Sequence, residues 1–227
     1  ASFATASATA DMALHFVVAD LPAGAETHEV VLTGAEAHHA AAVRRVRIGE
    51  DVTVGDGCGV WLQGTVSAVA AKEVVVTLDP ERARVIEEPR PRVALVQALA
   101  KGDRDELAVQ TATELGVDDV MPWQAARSIS RWDAAKASKG VARWESIARE
   151  AAKQAHRAWL PTVTPPVTTS QLAELAATTR MLVLDPTARE KLSDVVFVAA
   201  EATPILLVVG PEGGITPDEL ASLAEAG

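Results

Sequence analysis

Two patterns of apolar and polar residues divide this chain. Between residues 15 and 88, short valine-rich runs are separated by glycine turns, at 15–21, 28–33, 51–54, 60–69 and 73–78. Such runs predict strands, with one helix interrupting them over residues 35–46. Many short strands in so few residues predict a small barrel. The charged, proline-bearing stretch Glu87-Glu88-Pro89-Arg90-Pro91 then marks a boundary. Beyond it the runs become continuous and apolar, at 92–99, 117–121, 181–185 and 204–209, and they alternate with helical periods at 103–115, 134–158 and 170–177. Strands buried on both faces and alternating with helices predict a parallel α/β sheet. Val141, Trp144, Ala148, Ala151 and Ala155 form the buried stripe of the long helix, with its basic residues mostly outside. The predicted domains are 12–88 and 89–227, after an unstructured tail over 1–11 that is not a signal peptide.

The last strand breaks at Gly210-Pro211-Glu212-Gly213-Gly214, and a helix start follows. Thr216 is a suitable N-cap, Pro217 suits the first helical position, and Glu219 closes a capping box. Asp103 and Glu106 make the same pattern at 103–115, with Gly116 as the stop. A glycine-rich turn between a buried strand and a helix is where α/β sheets place ligands. A Cβ at Gly213 or Gly214 should clash or block a positive φ, so Gly213→Val is expected to keep the fold and lose the ligand. The turn is neither a Walker loop nor a dinucleotide fingerprint, so phosphate is not the indicated ligand.

Composition narrows the partners. The net charge is −10, yet residues 125–159 carry +5, leaving −15 elsewhere. That local basic patch, with Arg127, Arg131 and Arg157, is a candidate polyanion site or a solvated helix face. Arg44, Arg45 and Arg47, at the end of the first helix, are candidates for RNA phosphates or surface arginines that only solubilise. One cysteine excludes a disulfide framework and a cysteine zinc site, and fits a cytoplasmic protein. Cys58 sits in a turn with no base beside it, and the adjacent His38 and His39 make no metal pair. No metal and no membrane span is expected.

As a set, these motifs resemble the SPOUT superfamily of RNA methyltransferases, and within it the RsmE type that methylates N3 of a uridine in 16S ribosomal RNA. The residues that carry the resemblance run in order over 14–227. They are His38-His39 with Val43-Arg44-Arg45, Gln97 to Lys101, Glu106, Gln110, Thr113 to Val117, Arg127-Ser128, Gln154, Arg157 and Pro161, and the loop from Gly210 to Gly214. Arg44 stands in place of a leucine, Ala126 in place of an acid and Lys153 in place of a glutamate. The resemblance implies a PUA-like barrel for RNA, a trefoil-knotted α/β domain that binds S-adenosylmethionine, and a homodimer acting on 16S ribosomal RNA or the small ribosomal subunit.

It places Leu184, Gly210, Pro211, Glu212, Gly213, Gly214 and Ile215 at the cofactor. Arg127, Glu212 and Arg157 become candidate catalytic residues, and Arg44, Arg45, Arg47, Arg127, Arg131 and Arg157 candidate RNA contacts. Lys101, Glu106 and Glu114 are expected to form an ion-paired scaffold behind the site. Family members continue past the position of Gly227 into a knot-threading segment that walls the cofactor site, so this chain is expected to hold a half-built, solvent-exposed pocket. A non-catalytic RNA-binding module, another target nucleotide, and a small-molecule enzyme with a different nucleotide remain alternatives.

Overall fold

The computed structural model describes residues 13–19, 21, 28–197 and 202–226. The expected tail over 1–11 lies outside them. Two compact units divide the chain, one ending at Glu88 and the other beginning at Pro89.

The first unit is a curled sheet of β1 (Leu14–Val17), β2 (Glu29–Thr33), β3 (Asp51–Gly55), β4 (Val60–Ala70), β5 (Glu73–Leu78) and β6 (Arg84–Val85), in the order β1-β3-β4-β5-β2 with β6 on β4. Phe16 of β1 and Val30 and Leu32 of β2 belong to opposite ends of that order, yet they share one buried cluster. The sheet therefore wraps round its own core. Ala37 of α1 (Gly34–His38) and Ala40 plug that core.

The expected helix over 35–46 changes pitch midway. After α1 the turns widen to π geometry over His39–Arg44 and end at Arg45, whose φ is 55°. The Ala40 carbonyl there accepts the amides of both Arg45 and Val46. Arg44, Arg45 and Arg47 leave this wide turn exposed, and they form no ion pair among the described residues.

The second unit is a five-stranded parallel sheet, ordered β10-β11-β7-β8-β9. Its strands are β7 (Val93–Ala98), β8 (Asp119–Trp123), β9 (Thr162–Val163), β10 (Arg180–Leu184) and β11 (Ile205–Val209). Its helices are α2 (Arg104–Leu115), α3 (Ala134–Gln154), α4 (Thr169–Ala176) and α5 (Pro217–Ala226). Both faces are covered. Ala94, Val96 and Ala98 pack towards Leu172 of α4 and Leu223 of α5, while Leu95 and Leu99 pack towards Val109 of α2 and Trp144 and Ala148 of α3. Two covered faces are why the strands read as unbroken apolar runs.

Local differences have nonlocal causes. β8 starts two residues later than expected, because the Asp118 carboxylate instead accepts the Val93 amide at 2.9 Å. α3 ends at Gln154 rather than 158. His156 takes a left-handed φ of 52°, and the chain turns back so that Arg157 reaches the end of α2. Lys153 departs from the pattern of the basic residues: it is 3% exposed, with Nζ 3.2 Å from Glu150 Oε1.

Candidate cofactor and RNA site

The glycine loop leaves the carboxyl end of β11, in register with its neighbours. Val209 pairs with Leu184 of β10 and with Gln97 of β7. Gly210 must lack a side chain, since a Cβ there would lie 2.6 Å from Ile215 Cγ1. Ile215 packs into the α4/α5 core, and that packing pulls the loop tight. Pro211 is buried, and its carbonyl accepts the Gly214 amide at 2.8 Å. Gly214 has φ +73°, which only glycine adopts without strain. Gly213 does not need glycine on either ground: its φ is ordinary, and a Cβ would rest 3.4 Å from Arg127 Cβ. The expected need for glycine thus holds at Gly214 through its positive φ, with no clash there, and is corrected for Gly213.

Two segments clamp the loop. On one side, Glu212 Oε1 accepts from the Lys101 amide at 3.1 Å and from Arg104 Nη1 at 3.3 Å. Its own amide and that of Lys101 hold the Glu212 carboxyl below the ordinary range. Through these contacts the Glu212 carboxylate anchors one edge of the loop. On the other side, Arg127 Nη1 donates to the Gly213 carbonyl at 2.9 Å.

The start of α5 is fixed by the expected capping box. Glu219 Oε2 accepts from the Thr216 amide at 3.1 Å and hydroxyl at 2.8 Å, and Thr216 Oγ1 accepts the Glu219 amide. Sequence reasoning missed the other half of Glu219. Its Oε1 accepts from the Ala126 amide at 2.8 Å and the Thr169 hydroxyl at 3.0 Å, and Trp123 Nε1 donates to that hydroxyl oxygen. Burial pushes the Glu219 carboxyl up, but these donors outweigh it and leave it below the ordinary range. One buried carboxylate thus joins α5, α4 and the segment after β8 that carries Arg127. No local pattern signals a partner so distant in sequence.

The second expected capping box does not form. Asp103 makes no side-chain cap. Asp105 instead accepts the amides of Ala100 and Glu106, while Glu106 pairs with Arg143 of α3 at 2.8 Å. Of the expected ion-paired scaffold, Glu106 is paired in this way, Glu114 accepts from Gln110 at 3.0 Å, and Lys101 contributes its backbone amide.

Arg157 also has a different place from the one expected. Its guanidinium donates to the carbonyls of Thr113 and Val117 and to Asp118 Oδ1 at 3.1 Å, with the side chain 12% exposed. These partners precede β8, whereas the glycine loop follows β11. The strands are parallel, so Arg157 lies at the opposite end of the sheet from the loop. There it acts as a buried brace between α2, Asp118 and the turn after α3, and the structure does not bring it together with Arg127 and Glu212. Arg131, by contrast, is exposed beside Arg127, and it donates to the Ala126 carbonyl at 3.1 Å.

Leu184 ends β10 half-exposed and lines an open cleft of about 520 Å³ with Asp185 and Pro186, which the loop residues 210–215 do not line. The residues at the loop suit a polar ligand. The amides of Gly213 and Ile215 have no hydrogen-bond partner among the described residues. The buried Gln97 Oε1 and Ser128 Oγ are also unpaired among them. Among the described residues, no group of side chains could hold a metal ion, and no helix is long and apolar enough to cross a membrane.

Known proteins share this arrangement. A family profile described as RNA methyltransferase domain matches residues 87–227, and one described as RNA methyltransferase PUA domain matches residues 32–79. A ribosomal RNA small subunit methyltransferase E from Mycobacterium bovis is 42% identical over 95% of this chain and 82% of its own length. The protein of that name from Bacillus subtilis is 32% identical over 86% of this chain and 78% of its own. Among solved structures, a ribosomal RNA small subunit methyltransferase E from Neisseria gonorrhoeae bound to S-adenosyl methionine superposes with a TM-score of 0.78 at 25% identity, covering 94% of this chain and 86% of that one. With a curled PUA sheet before a SPOUT-type parallel sheet, and with identity sustained across both, the chain belongs to the RNA methyltransferase family of ribosomal RNA small subunit methyltransferase E.

Proposed function

We propose that this chain transfers a methyl group from S-adenosylmethionine to N3 of a uridine in 16S ribosomal RNA. The observation that carries the reading is the doubly clamped glycine loop with its free Gly213 and Ile215 amides, in a chain of this family. The cofactor brings an already activated methyl group, so the protein's work is orientation and electrostatics.

Glu212, Arg104 and the Lys101 amide fix one edge of the loop, and Glu219 fixes the segment that presents Arg127. Arg127 spends one N–H on the Gly213 carbonyl. Its remaining donors face the charge that develops on uracil O2 and O4 as N3 passes its proton to solvent water and takes the methyl group. Arg131, with Arg44, Arg45 and Arg47 of the first unit, contacts RNA phosphates in this reading. The homodimer and the cytoplasmic setting belong to the same proposal.

The test uses small ribosomal subunits lacking the modification. After incubation with the protein and S-adenosylmethionine, a methyl group on uracil N3 blocks Watson–Crick pairing and stops reverse transcription at one site, and fragment mass spectrometry there shows one added methyl. Methyl transfer to a ring carbon or to ribose, or none, sinks the assignment.

A further inference from the structure

A second cavity lies on the α2/α3 side of the sheet, next to the clamped loop but separate from it. It encloses about 360 Å³ and is lined by Lys101, Ile129, Trp132, Gly140 and Arg143 over a floor of Asp105 and Trp144. Trp132 is held firmly. Its ring lies so close over Gly140 that a Cβ there would meet Cη2 at 2.4 Å, and it meets the buried Trp144 edge-on at 5.4 Å between centroids. Glycine at 140 therefore makes room for an indole fixed in place at the wall of a cavity.

The charges around it point to an anion. Lys101 lines the cavity, Arg131 and Lys139 adjoin its lining residues, and Arg127 is two residues from Ile129. None of these four cations has a carboxylate partner among the described residues. The two carboxylates that line it are already engaged: Glu106 pairs with Arg143 at 2.8 Å, and Asp105 accepts the amides of Ala100 and Glu106. An immobilised aromatic ring among unpaired cations is the combination that takes a base and its phosphates from a single strand.

We propose that this cavity is a subsite for a second, unmethylated nucleotide of the substrate RNA, which stacks its base on Trp132 while Lys101 and Lys139 meet the flanking phosphates. The proposal rests on the RNA-methylation reading, and it adds a grip on the strand outside the reacting nucleotide. Lys101 joins the two places, because its amide clamps Glu212 while its side chain borders the cavity.

The experiment uses the whole chain and a fluorescein-labelled single-stranded RNA centred on the target uridine, with binding read by anisotropy. Trp132→Leu keeps an apolar group on Gly140 and Trp144 but removes the stacking ring. It should weaken RNA binding by roughly fivefold or more. Lys139→Ala should lower the slope of log affinity against log salt by about one. Calorimetric affinity for S-adenosylmethionine should be unchanged in both. As a check independent of variant folding, RNA with 5-iodouridine beside the target should photo-crosslink to the tryptic peptide 132–136. Unchanged RNA affinity in both variants, or crosslinks confined to the first unit, overturns the subsite. Weaker RNA binding by Trp132→Leu in a chain that binds no S-adenosylmethionine supports the subsite and counts against the methylation reading.

Discussion

Glu219 Oε1 lies 2.8 Å from the amide nitrogen of Ala126, across 93 residues of sequence. Through that bond, the start of α5 sets the position of the residue before Arg127. Glu219→Ala would leave the amides of Ala126 and Thr216 and two threonine hydroxyls, all part-buried, without their acceptor. Unsatisfied buried donors cost about 1–3 kcal/mol each site, so a loss of roughly 2–3 kcal/mol in urea unfolding is expected. Glu219→Gln, which keeps one acceptor oxygen, should lose less. Equal losses for the two variants would show that packing, and not the carboxylate, matters there.

The same carboxyl predicts an acid limb in stability. Its folded pKa is depressed below its unfolded value, so its contribution is complete above the ordinary glutamate range, near about 4.3. It is lost as pH falls through the lower folded value. Unfolding free energy measured from pH 7 down to 3 should be flat with respect to this group until about pH 5 and then decline. The decline should be shallower in Glu219→Gln. An identical acid limb in that variant would assign the decline to other carboxylates.

The two glycines at the loop tip should respond differently. Gly214, at φ +73°, would be strained by any side chain, by about 1–2 kcal/mol. Gly214→Val should therefore reduce S-adenosylmethionine affinity, as read by calorimetry, in a protein that still folds. Gly213→Ala should retain affinity within about threefold, since its Cβ meets Arg127 only at contact distance. The reverse ranking would mean that the loop takes another conformation when it binds.

Arg157 offers a sharp contrast with Arg127. Removing one partner of a buried ion pair typically costs about 3–5 kcal/mol. Arg157→Ala should lower the thermal midpoint strongly, by stranding Asp118 and the two carbonyls. Its folded fraction should bind RNA with unchanged affinity and salt slope. A stable variant with weakened RNA binding would restore Arg157 to the RNA surface.

The sequence made some of this legible and concealed the rest for one physical reason. Strands buried on both faces, and the Thr216–Glu219 capping box, are written within a few residues and were readable. The box at Asp103 and Glu106 had the same local signature, but Arg143 on α3 competes for the Glu106 carboxylate, and the cap is lost. Arg157 belonged to a basic run that read as one surface, until a turn at His156 carried it inside. Lys153 likewise carries a charge within the buried face of its helix. Nothing within three or four residues distinguishes a buried arginine from an exposed one when its partners lie on another element.

The flush register of the parallel sheet has a consequence for how this domain can change. Leu184, Val209, Gln97 and Pro122 form one row at the carboxyl end, while Arg92, Asp118, Asp119 and Arg157 gather at the other. A strand of five residues separates the two groups by roughly 13–16 Å. At that separation, substitutions combine nearly additively. The brace can therefore be strengthened or weakened by selection without retuning the loops, and the loops can drift towards new substrates on a frame whose stability is set at the far end.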